Sequence, residues 1–447
     1  MLSRLQSPVS AAPLAVFRMV LGFMLLASVI RFWANGWITD LYITPKYYFP
    51  FYGFEFVKPL GNATYLLFAV CGLSALLVAI GWFYRAAIVV LFLSFTYIEF
   101  IDKSTYLNHY YFVSMVCLLM VFLPAHRFFS VDAFRKKDFA CSTVPAWTIA
   151  ALQVFIAILY VYAGLAKINS DWLLRAEPLR IWLPARNDTL LIGWLFNYPE
   201  TAFAFSWMGC LYDLSIPFLL WKKQTRPYAY AVVVAFHILT AILFPIGMFP
   251  YIMIGTALIF FSPGFHQKII DHLSAFFRIS NPSEDRTGLS SRFTKQVVAV
   301  FFVLFFGFQL IFPLRYLLYP GELFWTEEGY RFSWRVMLME KAGYAQFTVR
   351  DSTGKQEYVN NTDFLTPLQE KMMSTQPDMI LQYAHFLRDH YASRGFINPQ
   401  VYADAYVSLN GRMGQSLTDS RVDLSGERES FRHKNWVLPL NDTIKGL

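Results

Sequence analysis

The chain has 447 residues, with 38 Lys and Arg against 30 Asp and Glu, a formal net charge of +8. Hydrophobic residues make up 56% and charged residues only 15%, against about 25% charged in an average soluble domain. This excludes a disordered chain, which needs low hydrophobicity and high charge, and four cysteines exclude a disulfide framework. The pI near 9.1 would suit nucleic acid only with Lys and Arg clustered on a soluble scaffold. The mean hydropathy of +0.39 points instead to a lipid bilayer as the partner, and no nucleic-acid partner is expected.

The average hides a boundary near Pro320. Residues 1–320 hold 24 basic and 14 acidic residues, about 12% charged, whereas 321–447 hold 14 basic and 16 acidic, about 24%. The expected fold class is a polytopic α-helical membrane bundle over 1–320, followed by a soluble, β-rich α+β domain over 321–447. A spanning helix needs about 20 mostly apolar residues. Nine candidates run near 13–33, 62–82, 86–101, 107–124, 146–166, 202–221, 227–244, 246–262 and 296–318. The seventh and eighth are separated only by Phe244-Pro245-Ile246-Gly247, where a re-entrant pair is an alternative. The first apolar segment is too long for a signal-peptide core and lacks a small-residue cleavage site. With the N-terminus cytoplasmic, 14 loop Lys and Arg fall on the cytoplasmic side, Arg4, Lys137 and Arg286 among them, and 7 on the outer side. That bias supports an N-in orientation, and nine spans then place the tail outside the cytoplasm.

In the tail, 346–351 alternates, Ser352-Thr353-Gly354-Lys355 supplies turn chemistry and 356–360 continues, which predicts a β-hairpin. Met379, Ile380, Tyr383, Phe386 and Leu387 fall at helical spacing within 377–391, and 401–409 alternates as a strand.

Ionisable groups at membrane depth are costly and are functional candidates by default. Asn108-His109 lies at the start of the fourth candidate span, and its bland alternative is an interfacial loop. Lys167 closes an otherwise apolar helix in Ala163-Gly164-Leu165-Ala166-Lys167, with Asp171-Trp172 just beyond. A snorkelling lysine is the bland reading. The functional one is that a lysine in apolar surroundings loses solvation of its charged form, which makes the neutral amine available as a base. In the N-in topology His109 and Lys167 share the outer face and one pocket can hold both. Asp213 and His237 lie inside the sixth and seventh spans, where helix–helix hydrogen bonding is the bland role. No histidine shows metal-ligand spacing, so no metal is expected. The aromatic-dense stretch from Trp325 through Tyr330, Trp334 and Met339 to Lys341 reads either as an interfacial belt or as a wall over the pocket beneath.

The segments Asn108-His109, 163–167 with Asp171-Trp172, and 246–249 with His237 upstream resemble the vitamin K-dependent γ-glutamyl carboxylase family. So do Tyr330-Arg331-Phe332-Ser333-Trp334, Thr348-Val349-Arg350-Asp351, Leu381-Gln382-Tyr383-Ala384, 407–412 and Arg421-Val422-Asp423. The likeness is collinear over nearly the whole chain; its membrane part resembles the horizontally transferred transmembrane domain. The resemblance implies that Lys167 deprotonates vitamin K hydroquinone. Oxygen then adds, a strongly basic quinone-derived anion removes a γ-proton from a protein glutamate, and CO2 captures the carbanion as the epoxide leaves. It implies that Asn108 and His109 position or stabilise the anion and that Tyr330 and Trp334 lie in the glutamate-binding segment, to which Trp325 and Met339 are added as candidates; Asp171, Asp213 and His237 are candidates for groups standing behind the catalytic ones. The chain departs from the vertebrate pattern at Met339, where a His is expected, at Lys341 for an Arg, and at Ala166 for the first Lys of a Lys-Lys pair. The paired outer cysteines are missing, which points to a bacterial homologue of the inner membrane. Quinone chemistry is therefore supported more fully than carboxylation. The alternatives are a quinone oxygenase without glutamate carboxylation, and a membrane transporter or quinone-binding scaffold using the Asp213/His237 pair.

Overall fold

The computed structural model describes residues 5–136, 138, 140–278 and 292–446; Arg4, Lys137 and Arg286 of the basic loops lie outside them. The helices of the first part used below are α1 (Ala12–Ala34), α2 (Thr64–Ile80), α3 (Tyr84–Phe100), α4 (Asn108–Phe122), α5 (Ala146–Ala166), α6 (Ser170–Arg175), α7 (Pro199–Trp221), α8 (Arg226–Leu243), α9 (Phe249–Ala257), α10 (Pro263–Phe277) and α11 (Arg292–Ile311), besides the short Trp37–Tyr42, Val131–Arg135 and Leu179–Trp182. Consecutive helices α1 to α4 pack side by side, α5 packs on α7, α7 on α8 and α8 on α9, and α9 returns to α1. A small antiparallel pair, β1 (Pro8–Ser10) and β2 (Thr143–Pro145), ties the N-terminus to the start of α5.

Glycine and arginine explain the close packing of α1 on α2. A Cβ at Gly22 of α1 would sit 2.6 Å from the Ala75 carbonyl oxygen of α2, so the two backbones meet where only hydrogen fits. Arg18, fully buried in α1, donates to the carbonyl oxygens of Val78 (3.2 Å) and Phe129 (2.6 Å). These carbonyls, Val78 in the last turn of α2 and Phe129 in the connection after α4, give the buried guanidinium acceptors, which accounts for an arginine within an apolar span. At the other side of this junction, Asp132 accepts from the backbone N–H groups of Phe83 and Tyr84, both at 2.9 Å, at the N-terminus of α3.

The expected class holds, but the expected nine spans do not. Among the described residues six helices are long and apolar enough to cross a membrane, or seven if one bent pair is counted as a span. Two expected spans fold as the 17-residue α3 and the 15-residue α4, about 25 and 22 Å long at 1.5 Å per residue, short of a bilayer core of about 30 Å. The eighth turns by 112° into α10. Ser262 there is extended ahead of Pro263, and its side chain accepts from the Phe265 N–H at 3.4 Å, so a new helix starts where a cytoplasmic loop was expected.

The tail folds as its pattern predicts. Strands β3 (Lys341–Arg350), β4 (Gln356–Tyr358), β5 (Gln400–Leu409) and β6 (Gln415–Ser416) form an antiparallel sheet in the order β4-β3-β5-β6. Thr348 pairs with Tyr358 across the hairpin, and β3 pairs with β5 along its length, Lys341 opposite Leu409 and Arg350 opposite Gln400. Asp351 closes the turn, its Oδ1 accepting from the N–H groups of Thr353 and Lys355, both at 2.9 Å. Two helices, α12 (Pro367–Met373) and α13 (Pro377–Ser393), cover the sheet. Val401, Ala403, Ala405, Val407 and Leu409 alternate inward from β5 and form one core with Ile380, Tyr383, Ala384 and Leu387 of α13. Each fully buried large apolar side chain stabilises this contact by about 1.5–3 kcal/mol.

Candidate functional site

Lys167 stands at the C-terminal end of α5, in a turn set by its neighbours. Its backbone N–H donates to the Gly164 carbonyl at 3.0 Å. Asn169 bridges this turn to α6: its Nδ2 donates to the Ala166 carbonyl and its Oδ1 accepts from the Trp172 N–H, both at 2.9 Å. The helix end thus aims Lys167 back into the bundle. Its Nζ lies 2.7 Å from Asp213 Oδ2 of α7 and 3.2 Å from the Ala163 carbonyl, and 5.3 Å from the centre of the Trp172 ring. The Lys167 and Asp213 side chains are 8% and 9% exposed. What brings them together is Gly164: a Cβ there would lie 2.7 Å from Leu214 Cγ, so α5 and α7 approach closely one residue from Asp213.

The pair faces a cavity with about 740 Å³ of empty space, counting its open mouth, whose walls include Tyr160, Trp172, Phe236, Phe249, Val336 and Met337. His237 lines it as well. The Tyr160 hydroxyl lies 3.2 Å from His237 Nε2 and 3.3 Å from the Tyr212 hydroxyl, while the buried His237 Nδ1 has no partner. The cavity is therefore apolar along its length, with an ion pair at one point and an unpaired imidazole nitrogen at another. That donor and acceptor set fits a flat, apolar molecule carrying ring oxygens, such as a quinol. Among the described residues no group of three or more His, Cys, Asp or Glu side chains could hold a metal ion.

The other expected residues are distributed around this cavity. Neither Asn108 nor His109 lines it. Phe249, which does, packs its ring 5.6 Å from His109 and 5.9 Å from His237 and so stands between the two imidazoles. Asn108 Nδ2 donates to the Arg335 carbonyl at 2.8 Å and its Oδ1 accepts from the Tyr106 hydroxyl at 3.0 Å. Asp171 turns away from Lys167: Arg412 grips both its oxygens at 2.7 Å, and Asn410 donates to one at 2.8 Å. Trp334 is fully buried in the bundle core, 4.7 Å from the ring of Tyr111, whereas Trp325 is fully buried in the tail core with its indole N–H on the Leu438 carbonyl at 2.7 Å. Tyr330 and Met339 pack against the tail core, and burial pushes the Tyr330 phenol up from its ordinary value. Lys341 is buried against Glu327 at 2.9 Å.

Sequence reasoning did not single out Tyr160, Phe249, Val336 or Met337 as cavity walls. An aromatic or Met in a span reads as core, and the only available signal was the position of Val336 and Met337 within the aromatic stretch after the last span.

Two family models match the chain. One, described as the HTTM domain, matches residues 6–265. The other, described as the lumenal domain of vitamin K-dependent gamma-carboxylase, matches residues 294–443. No solved structure matches it. With the helical first part covered by one model and the last span and sheet domain by the other, the chain is an integral membrane protein that belongs to the vitamin K-dependent γ-carboxylase family.

Proposed function

We propose that the chain is a membrane enzyme that oxygenates a vitamin K-type hydroquinone to its epoxide and couples this to carboxylation of glutamate in a protein or peptide, with O2 and CO2 as co-substrates. The observation that carries this reading is the Lys167–Asp213 pair, buried at 2.7 Å and facing an aromatic cavity inside the bundle. When bound, the hydroquinone would supply, by its oxidation with O2 as co-substrate, the strong base that the carboxylation needs. The chain's own part is binding and proton handling. The rings of Phe236, Phe249 and Trp172 hold an apolar ligand and exclude water. Lys167 Nζ accepts a hydroxyl proton as it passes its own to Asp213 Oδ2, so no net charge is created in an apolar site. His237, held through Nε2 by Tyr160, offers its free Nδ1 to a second ring oxygen. Asn108 and His109 act from behind, through the Arg335 backbone and through Phe249.

Tyr330, Trp325, Trp334 and Met339 serve the glutamate side of the reaction by shaping the wall that ends in Val336 and Met337. The excess of Lys and Arg in the loops supports a cytoplasmic N-terminus, and with the bent pair counted as a seventh span the tail lies outside the cytoplasm, in a bacterial inner membrane. The domain division at residue 320 goes with this topology. Oxygenation without carboxylation is the second reading, favoured by Met339, which carries no ionisable group and packs on the tail core.

The test is epoxide formation from vitamin K hydroquinone by the purified chain and by Lys167→Ala, with labelled CO2 incorporation into Glu peptides measured in parallel. Loss of a positioned base costs about 10²–10⁴ in rate. Equal epoxide rates remove Lys167 from the mechanism, and epoxide without label selects the second reading.

A further inference from the structure

The strap from Glu327 to Met337 holds groups that the proton transfer does not use. Four of its non-glycine residues have positive φ: Glu327 at +56°, Phe332 at +57°, Trp334 at +60° and Met337 at +54°. Such backbone is costly for a side-chain-bearing residue and clusters at ligand clamps and active sites. Within the strap Arg335 is 5% exposed. Its Nε and Nη1 have no hydrogen-bond partner, and neither has Nε1 of the neighbouring, fully buried Trp334. Three buried N–H-bearing nitrogens in two consecutive residues therefore lack an acceptor.

Other arginines of this region are matched. Arg331 reaches Asp378 at 2.7 Å, Arg412 reaches Asp171 at 2.7 Å, and Arg18 reaches two carbonyl oxygens. Arg335 instead overlies the ring of Tyr316 at 4.3 Å. Its backbone is fixed, because its carbonyl accepts from Asn108 Nδ2 at 2.8 Å and from the Tyr330 hydroxyl at 3.4 Å. The next two residues, Val336 and Met337, are walls of the Lys167 cavity. A buried guanidinium whose Nε and Nη1 find no acceptor is unfavourable even with the Tyr316 hydroxyl and the charge of Glu322 near it, and its planar fork is built to take a carboxylate through two N–H groups.

We propose that Arg335 is the residue of this chain that binds the side-chain carboxylate of the acidic substrate. This rests on the reading of the Lys167 cavity as a site that acts on glutamate. The substrate carboxylate supplies the two missing acceptors, and a peptide carrying Gln in place of Glu offers only one oxygen and no charge to them. A site built around a polar partner rejects the analogue that lacks it far more strongly than an apolar site rejects a change of size.

The experiment uses the full chain in lipid nanodiscs and a labelled short peptide with two Glu between apolar residues, compared with its Gln counterpart. Wild type is expected to bind the Glu peptide at least about tenfold more tightly than the Gln peptide. Arg335→Gln is expected to erase that preference, and Arg335→Lys, which keeps the charge, to restore part of it. In turnover, Arg335→Gln is expected to raise half-saturation for the Glu peptide at least about tenfold more than that for hydroquinone. Equal binding of the two peptides by wild type, an unchanged preference in Arg335→Gln, or an equal loss for peptide and hydroquinone each overturns the proposal. A wild type that forms neither epoxide nor labelled peptide refutes the proposed activity instead, and the binding comparison still decides Arg335.

Discussion

Asp213→Leu, Lys167→Met and the variant carrying both form a cycle that tests the central pair. The two side chains are 8% and 9% exposed and 2.7 Å apart. Removing one partner of a buried pair leaves the other charge uncompensated and costs about 3–5 kcal/mol, whereas replacing both by apolar residues of similar volume is about neutral. Each single variant is therefore expected to lose about 3–5 kcal/mol and the double variant to stay within about 1 kcal/mol of wild type, a coupling of several kcal/mol where independent sites add within about 0.5. The assay is reversible unfolding of the purified chain in mixed micelles on SDS titration, followed by tryptophan fluorescence. Epoxide formation is measured on the same samples and is expected to fall in all three. Additive single losses refute the pairing. Full epoxide formation by Asp213→Leu refutes the shared proton.

Three further outcomes follow from the same geometry. Burial pushes the Asp102 carboxyl up to about 6, against the hydrogen bonds it accepts from Ser104 and Gln369. The native state then holds this proton more tightly than the unfolded chain, so the contribution to stability is full below about pH 4 and is lost as pH rises to about 6, by about 3 kcal/mol. Thermal unfolding of Asp102→Asn between pH 4 and 7 is expected to lack that part of the slope, and an unchanged slope refutes it. Arg412→Leu strips the fully buried Asp171 of its guanidinium and is expected to cost about 3–5 kcal/mol; a loss under about 1 kcal/mol in the same micelle assay removes the clamp. Gly164→Ala places a Cβ 2.7 Å from Leu214 Cγ and 2.9 Å from its backbone nitrogen, and is expected to cost about 1–3 kcal/mol and to lower epoxide formation. Gly307→Ala, which meets nothing within 4 Å, is the control.

What was legible in the sequence was what local chemistry decides. The hairpin at 346–358 followed from alternation and the Asp351–Lys355 turn, and α13 from its apolar spacing. Hydropathy located α1 to α5, α7 to α9 and α11 but not α6 or α10, because it is blind to short polar helices and to the turn that Ser262 and Pro263 impose after α9. Lys167 was legible as a charge in an apolar segment. Its partner was not, since Asp213 lies 46 positions away and their meeting depends on the close approach of Gly164 to Leu214. Asp171, four residues from Lys167, looked like its neighbour. The Asn169 turn sends that carboxylate toward Arg412 of the tail instead, a contact between positions 241 apart.

Those long-range contacts change how the tail is to be understood. The strap that follows the last span is anchored at one end by Trp325 in the tail core and farther along by Trp334 in the bundle core. Between them Arg331 donates to Asp378 of α13, and Lys103 of the α3–α4 connection donates to the same carboxylate at 2.7 Å. Burial pushes that carboxyl up, but the two cations outweigh it and hold it well below the usual carboxylate range, so it stays ionised between them. Arg412 and Asp171 make a second crossing. The tail thus grips the bundle at two places, and the strap between them supplies the Val336–Met337 wall of the cavity. An apolar cavity open to water on that side would hydrate the Lys167–Asp213 pair and weaken every electrostatic effect inside it. Closing that wall is therefore as much a part of the site as the lysine, and it explains why the soluble domain is joined to the membrane part through a strained, aromatic strap rather than a flexible linker.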